Sequence, residues 1–300
     1  MFLDRAAALA RERVEAAMRR SPPRLLREAC EELESPPSLA AAVRRSGGEG
    51  VGVIAEVKRS SPSRGSIRPG LMVEELVRAY ERGGARALSV LTEPVFFAGS
   101  MRDLHEAVRA SRLPVMRKDF IVHPYQLLEA RAAGASAVLL IAALLDEKGL
   151  ARMLDETRLL GLEALVEVHD EREAERALRA GASMLGINNR DLRTLRVDLD
   201  TTRRLASLIP AEAVLVSESG YSRAEEFAGL AELGVDAVLV GGHLAGSDDP
   251  EAALRELVRP APPSPSDPFS GRGGERPGEA GAPIREIRAP ARRDHGGEAR

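Results

Sequence analysis

The sequence predicts a (β/α)8 barrel, and repetition of one strand-helix unit is the main reason. Strand-like hydrophobic runs begin near eight positions: Val51, Ala87, Leu113, Ala137, Ala164, Met184, Ala213 and Ala237. Each run is followed by a segment with the apolar spacing of a helix. No unit carries the glycine-rich nucleotide turn of a doubly wound sheet, and the helix-to-strand turns are short. Eight such units over roughly 200 residues therefore favour a parallel barrel.

Residues 1–50 precede the first strand and are predicted to form a helical extension. Arginine and glutamate interrupt every apolar stretch of the first segment, MFLDRAAALARERVEAAMRR. We therefore expect an amphipathic helix there, and neither a signal peptide nor a membrane span. Two further short helices are predicted at about residues 25–32 and 38–43, separated by Pro-Pro pairs.

Residues 51–259 are predicted to form the barrel. Four of its helical segments close on glycine, the usual helix stop: MVEELVRAYERGG, YQLLEARAAG, EREAERALRAG and RAEEFAGLAELG. A last helix, DPEAALRELV, closes the domain. From residue 260 to 300 the composition changes to proline, glycine, serine and arginine, and we expect this tail to be disordered.

The composition excludes several classes of partner. The net charge is −3, from 43 basic and 46 acidic residues, so no overall field attracts nucleic acid or an anionic membrane. The single cysteine, Cys30, excludes an internal disulfide. We expect a small-molecule substrate, a cytoplasmic location and a monomer.

Polar residues at the ends of five strand runs predict where the active site lies. The runs are VGVIAEVK, LPVMRKDF, ALVEVHD, LGINNRD and VLVSESG. In a parallel barrel the carboxyl ends of the strands meet at one rim, where the chemistry collects. The candidate residues at these ends are Lys58, Lys118, Glu167, Asn188 and Ser219.

Acid-base chemistry is the first function that these residues suggest. Glu56 and Lys58 are two apart on a strand, so both side chains point into the mouth, although a structural ion pair is an equal alternative. Lys118, partly desolvated, is expected to have a lowered pKa and to donate a proton, with Asp119 as its alternative partner. The pKa of Glu167 is expected to be raised by burial unless a lysine offsets this effect.

Other residues suggest positioning and phosphate binding. The amide of Asn188 and the guanidinium of Arg190 can orient a substrate without titrating, although asparagine also caps turns. Glycines directly follow strands seven and eight, in SESG and VGG. Phosphate-binding barrels present backbone N–H groups there, whereas simple turn formation is the alternative. The histidines have no HxH or HExxH spacing, and we expect no metal.

Taken together, these strand-end motifs resemble those of the indole-3-glycerol-phosphate synthase family, and the resemblance runs from about residue 3 to 258. The motifs that carry the resemblance stand in order on successive strands: IAEVKRSSPSRGSI, LTEPVFFAGS, LPVMRKDFIVHPYQLLEARAAGA, VLLIAALL, ALVEVHDEREAERALRAGA, GINNRDLRTLRVDLDTT, LVSESGYS and GVDAVLVG. The resemblance implies a carboxy-lyase of tryptophan biosynthesis. Its substrate would be 1-(2-carboxyphenylamino)-1-deoxyribulose 5-phosphate, which closes to indole-3-glycerol phosphate with loss of CO2 and water. It implies no cofactor and no metal.

The resemblance also implies roles for particular residues. Lys118 would be the general acid and Glu167 the general base. Lys58 would hold the substrate carboxylate or share in proton donation. The remaining implied positions are Glu56, Asn188 and Ser219 for positioning, Ser61, Gly220, Gly241 and Gly242 for the phosphate, and Phe97, Phe120, Leu139 and Arg190 around the anthranilate ring.

Three departures from the family pattern and two rival functions accompany this resemblance. Gly242 stands where the family usually has Glu or Ser, Ala245 replaces a common Met, and His123 replaces a common Asp. The first rival is another phosphate-binding barrel enzyme such as phosphoribosylanthranilate isomerase, which should rely on a Cys/Asp pair, whereas Cys30 lies in the extension. The second is a non-catalytic binding barrel, which should have lost one of Lys58, Lys118 and Glu167.

Overall fold

A computed structural model describes residues 2–47 and 49–259 of the chain. The tail predicted at residues 260–300 lies outside the described residues. Eight parallel strands form a closed barrel in which each strand pairs with the next along the chain, and the last pairs with the first. The predicted (β/α)8 fold is confirmed. The strands are β1 (Gly52–Val57), β2 (Ala87–Leu91), β3 (Val115–Lys118), β4 (Ala137–Ile141), β5 (Glu163–Val168), β6 (Met184–Asn188), β7 (Val214–Glu218) and β8 (Ala237–Val240).

Helices surround the barrel, and residues of α1 and α3 also pack against its interior apolar set. Those of the extension are α1 (Phe2–Arg20), α2 (Pro23–Glu31) and α3 (Leu39–Val43), and those of the barrel are α4 (Val73–Gly83), α5 (Met101–Ala110), α6 (Pro124–Ala132), α7 (Glu147–Leu159), α8 (Glu171–Arg179), α9 (Asp200–Ala206), α10 (Gly242–Ala245) and α11 (Pro250–Val258). Side-chain caps begin several of them: Ser100 accepts from the Asp103 N–H, and Asp170 from the Glu173 N–H. None of the helices within the described ranges has the length and apolarity that a membrane span requires.

The prediction of a full helix after β7 is wrong. Only a short 3-10 helix, Ala224–Phe227, forms there. Ala228 is extended, and Gly229 has φ of +77°, in the left-handed region that an α-helix excludes. The glycine inside RAEEFAGLAELG therefore ends the helix early, although the apolar spacing continues beyond it.

The barrel has two apolar layers because side chains alternate along each strand. One set packs outward against the helices, for example Val53, Leu88 and Val166. The other fills the interior and includes Ile54, Met116 and Leu165. The helix α3 adds Leu39 and Val43 to this interior set.

The N-terminal extension contacts the barrel at both ends. At the amino end of β5, the Glu163 carboxylate accepts hydrogen bonds from Ser38 Oγ at 2.7 Å and from the Ala40 N–H at 2.8 Å. At the carboxyl ends of the strands, Arg13 of α1 pairs with Asp119 at 2.7 Å. The described part of the extension therefore contacts the barrel near both ends of its strands.

Candidate active site

The carboxyl ends of the strands surround a cavity of about 350 Å³. The residues predicted from the sequence all line it: Glu56, Lys58, Ser61, Phe97, Lys118, Phe120, Leu139, Glu167, Asn188, Arg190, Ser219, Gly220, Gly241 and Gly242. The barrel interior closes the cavity below. One fold feature, the shared strand-end rim, thus brings together residues that are far apart in the sequence.

Lys118 is the centre of the charged group. Its Nζ lies 2.6 Å from Oε2 of Glu218 and 3.5 Å from Oε2 of Glu167. Both carboxylates are almost fully buried. The ammonium group therefore joins the ends of β3, β5 and β7 and places one donor between two acceptors.

The predicted alternative partner of Lys118 is not its partner. Asp119 is the next residue along the chain, so its side chain points to the opposite face of the strand. There it contacts Arg13 at 2.7 Å, Thr92 Oγ1 at 2.7 Å and Arg117 at 3.1 Å. These contacts occupy the Asp119 carboxylate, so it is not the partner of Lys118, although Asp119 also lines the cavity.

The expected lowering of the Lys118 pKa is wrong. Burial alone would lower this pKa, but the carboxylates of Glu218, Glu167 and Glu56 together outweigh it and raise the pKa above its ordinary value. In the unliganded site Lys118 is therefore firmly protonated. Such a lysine is a hydrogen-bond donor to a developing oxyanion before it is a proton donor.

Glu167 also departs from its ordinary pKa. Burial would raise it, but Lys118 comes next in size and, together with contacts from His169 and Asn188, holds the pKa of this carboxyl below its usual range. The site thus contains the lysine, Lys118, that was expected to offset the effect of burial on the pKa of Glu167. Glu167 is therefore ionised at neutral pH, which is the state that a proton acceptor requires.

Glu218 is a site residue that the sequence analysis missed. Burial raises the pKa of its carboxyl, and the neighbouring charges of Glu167 and Glu56 add to this effect, while Lys118 opposes it. The Glu218 carboxylate fits here because residue 186 of β6 is a glycine. A Cβ at Gly186 would overlap Oε1 of Glu218. The signal was present in the alternation Val214, Val216, Glu218, which puts the carboxylate on the inward face of β7.

Glu56 and Lys58 form a close ion pair at the end of β1. Both side chains also line the cavity. The two residues therefore form an ion pair and lie in the barrel mouth at the same time. A Cβ at Gly241 would collide with the Glu56 carboxylate and lie 2.9 Å from Lys58 Nζ. A glycine at position 241 is therefore required for this pair to sit against β8.

Backbone conformation at the end of β7 is specialised. Ser219 has φ of +67° and Gly220 has φ of +102°. A Cβ at Gly220 would lie 2.7 Å from Leu199 and 2.8 Å from Val197. Gly220, Gly241 and Gly242 thus expose backbone along one side of the cavity, with Ser61 on the loop after β1.

An apolar wall faces these glycines. The ring of Phe97 lies 6.3 Å from that of Phe120, and Phe120 lies 5.8 Å from Phe2 at the start of α1. Leu139 from β4 completes the wall. Buried Glu93, also missed from the sequence, holds the loop by accepting the Phe97 N–H at 3.3 Å and those of its two preceding residues.

Arg190 lies at the cavity edge. One guanidinium nitrogen donates to the Leu195 carbonyl at 2.9 Å. Burial lowers the pKa of Arg190, and the nearby cation Arg64 lowers it further. Two guanidinium groups near each other favour an anionic group between them.

Within the described residues, the cavity has neither a metal-ligand group nor a cysteine in its lining. Over residues 2–47 and 49–259, no group of three His, Cys, Asp or Glu side chains has the arrangement of a metal site. Cys30 is buried on α2, with Sγ 3.7 Å from the Leu128 carbonyl, and does not line the cavity. A Cys/Asp acid-base pair is therefore not available here.

Comparison with known proteins agrees with this geometry. The family model for indole-3-glycerol phosphate synthase matches residues 3–257. The chain belongs to this family. It is similar to the indole-3-glycerol phosphate synthase of Mycobacterium ulcerans (strain Agy99), with 52% identity over 239 residues, covering 77% of this chain and 86% of that protein. The enzyme of the same name from Mycobacterium avium (strain 104) is 52% identical over 222 residues, covering 72% and 81%.

Solved structures extend the likeness at the level of the fold. The 3-hexulose-6-phosphate synthase from Salmonella typhimurium superposes with a TM-score of 0.55 at 14% identity, covering 69% of this chain and 97% of that chain. Such low identity supports the barrel fold alone. Family membership, in contrast, identifies the chain as a carboxy-lyase of tryptophan biosynthesis that forms indole-3-glycerol phosphate.

Proposed function

We propose that the cavity catalyses the family's ring closure through Lys118 and Glu167, as general acid and general base. The observation that carries this assignment is the position of Lys118 Nζ, 3.5 Å from Glu167 Oε2 and 2.6 Å from Glu218 Oε2, between the apolar wall and the glycine backbone. The substrate is 1-(2-carboxyphenylamino)-1-deoxyribulose 5-phosphate.

The first chemical step needs a donor at the ribulose carbonyl. The aryl carbon that bears the carboxylate attacks that carbonyl carbon, and negative charge develops on its oxygen. Lys118 is the cation available to donate a hydrogen bond and then a proton to this oxygen. Its raised pKa suits stabilisation of the oxyanion, and transfer becomes favourable as the oxygen becomes strongly basic.

The later steps need a base. Loss of CO2 from the same aryl carbon returns its bonding electrons to the ring. The hydroxyl on the former carbonyl carbon then takes a proton from a lysine ammonium group, Lys118 or Lys58, and departs as water. The neighbouring methylene carbon gives up a proton, its C–H electrons form the new C=C bond, and the nitrogen keeps its hydrogen. We assign the acceptor of the methylene proton to Glu167, the carboxylate that faces the cavity from β5.

The remaining residues are proposed to bind the substrate. Lys58, held by Glu56, would contact the substrate carboxylate or share in proton donation, and Asn188 would orient substrate hydroxyls. The backbone around Ser219 would help to shape this end of the cavity.

The phosphate and the aromatic ring are assigned to opposite sides of the cavity. The phosphate would take backbone N–H groups at Gly220, Gly241 and Gly242, with Ser61 close by. The anthranilate ring would lie on the apolar wall, made by Phe97, Phe120 and Leu139, with Arg190 at its edge. Gly242 has no side chain to offer, so only its backbone can contact the phosphate.

One assay tests the assignment. Purified protein is incubated with the substrate in metal-free buffer without nucleotide, and indole fluorescence is followed. We expect turnover that is lost in Lys118→Met and in Glu167→Gln. Full activity in either variant would move the corresponding role to another group, while no turnover in the unmodified protein would refute the proposed reaction. A monomer in the cytoplasm remains our expectation for the working protein.

A further inference from the structure

His169, directly after β5, lies between two carboxylates. Its Nδ1 is 3.0 Å from Oε2 of Glu173, and its Nε2 is 3.3 Å from Oε1 of Glu167. The same Glu173 oxygen also accepts the backbone N–H of His169 at 2.9 Å. Glu173 of α8 therefore fixes the Nδ1 edge of the imidazole ring, and the Nε2 edge points at the Glu167 carboxylate of β5.

This geometry determines the protonation state of the ring. A neutral imidazole has one N–H, so one ring nitrogen would direct a lone pair at a carboxylate oxygen. The imidazolium ion has an N–H at both nitrogens and suits both neighbours. Burial lowers the pKa of His169, but hydrogen bonding and charge from Glu167 and Glu173 outweigh burial and raise it to about 10.

The two carboxylate oxygens of Glu167 have different surroundings. Oε1 faces His169, whereas Oε2 faces Lys118 at 3.5 Å and the cavity. A carboxylate with one oxygen held cannot rotate freely, so the other oxygen stays in a constant direction. Nε2 is buried and makes no hydrogen bond in this structure, so its contact with Oε1 is an ion pair at 3.3 Å.

We propose that His169 is a positioning residue, which as an imidazolium ion holds Oε1 of Glu167 so that Oε2 accepts the substrate proton. This inference rests on the proposed role of Glu167 as general base. In the dehydration step a C–H bond of the methylene carbon next to the nitrogen breaks, its electrons form the C=C bond, and the proton goes to Oε2. His169 keeps both of its protons throughout and contributes by direction and charge.

The charges around the ring come from three parts of the chain. Glu167 belongs to β5, Glu173 to the first turn of α8, and Asp191 to the segment after β6. All three are acidic, so they favour the imidazolium ion together. Lys118 opposes them from beyond Glu167.

Two substitutions separate the two edges of the ring. In His169→Asn the amide N–H replaces Nδ1 and keeps the contact with Glu173, but it does not reach Glu167. In His169→Gln the amide extends to the position of Nε2 and can still contact Glu167. Misplacement of a catalytic group by about 1 Å can reduce turnover on the order of 10²-fold. We therefore expect His169→Asn to lower kcat by about 10- to 100-fold and His169→Gln to lower it less, with KM changed by less than about threefold in both.

A purely structural role gives the opposite order. If His169 only ties β5 to α8, His169→Asn should resemble the unmodified protein and His169→Gln should be the poorer enzyme. That order of kcat values would overturn the proposal. A kcat equal to that of the unmodified protein in both variants would overturn it as well. The matched control is His105, an exposed histidine of α5, whose Asn and Gln substitutions should leave kcat unchanged.

Two further measurements keep the test decisive if a variant is unstable. In the unmodified protein, 15N NMR should show both ring nitrogens of His169 protonated at pH 8, and Glu173→Gln should lower the pH at which the ring loses a proton. A neutral ring at pH 8 would refute the proposal. Glu167→Gln, measured in parallel, tests the general base itself: if it loses activity while His169→Asn does not, only the inference about His169 fails.

Discussion

Replacing Lys118 by methionine removes the charge at the centre of the site and nearly preserves the side-chain volume. With an effective dielectric constant of about 20, the Coulomb attraction is about 6 kcal/mol toward Glu218 at 2.6 Å and about 5 kcal/mol toward Glu167 at 3.5 Å. Desolvation of the three groups offsets much of this attraction. Breaking a buried ion pair by removing one partner costs about 3–5 kcal/mol. We therefore expect Lys118→Met to lower the unfolding temperature by roughly 10 °C at pH 8.

The effect should depend on pH with a definite sign. The folded-state pKa of Glu167 lies below its ordinary value of 4.5, so the stability that this carboxylate contributes is fully present above that value and is lost as the pH falls below it. Lys118→Met removes most of that contribution. Glu218, the closer partner of Lys118, has a pKa raised to about 7. The difference in unfolding temperature between the two proteins should accordingly be largest near pH 8, should begin to shrink as Glu218 is protonated, and should shrink further as the pH falls below 4.5.

The assays are thermal unfolding across this pH range and turnover by indole fluorescence. The loss of general-acid catalysis should lower kcat by about 10² to 10⁴. Lys148→Met, at an exposed position in the first turn of α7, is the matched control and should change the free energy of unfolding by less than about 0.5 kcal/mol. A near-normal kcat in Lys118→Met would refute the acid role, and a stability difference that does not change with pH would refute the electrostatic reasoning.

The remaining predictions concern the base, the phosphate side and a close packing contact. Glu167→Gln should lower kcat by about 10² or more with a smaller change in KM, whereas a raised KM with normal kcat would indicate a binding role instead. Gly220→Asp should raise KM more than the uncharged Gly220→Asn, because both strain a backbone at φ of +102° but only Asp repels a phosphate; equal KM values would exclude phosphate at this position. Gly186→Ala should lower kcat, because a Cβ would displace the Glu218 carboxylate. Gly70→Ala, where a Cβ meets nothing within 4 Å, should not, and equal kcat in these two variants would argue against a role for the placement of Glu218.

Local rules in the sequence predicted the fold and the location of the site. The two-residue alternation of strands and the residue type at each strand end are properties of neighbouring positions, so Lys118, Glu167 and Asn188 could be placed on the inward face without a structure. The family motifs then identified the reaction. The same local rule places Glu218 on the inward face, although the SESG motif that contains it points first to phosphate through Gly220.

Contacts between distant residues could not be predicted in the same way. Lys118 and Glu218 are 100 positions apart, and only closure of the barrel brings Nζ within 2.6 Å of the carboxylate. That distance decides the sign of the Lys118 pKa shift, because burial and the carboxylates act in opposite directions. The pairing of Arg13 with Asp119 and the place of His169 between Glu167 and Glu173 depend likewise on packing.

The sequence by itself thus determined which side chains point inward, where each strand ends and which family the motifs belong to. Each of these follows from backbone geometry over a few residues or from an ordered set of local patterns. The tertiary structure decided which charges are partners, which carboxylate remains ionised and where the helix after β7 stops. Electrostatic interaction depends on distance through space and on burial, and neither quantity exists until the strands have closed into a barrel.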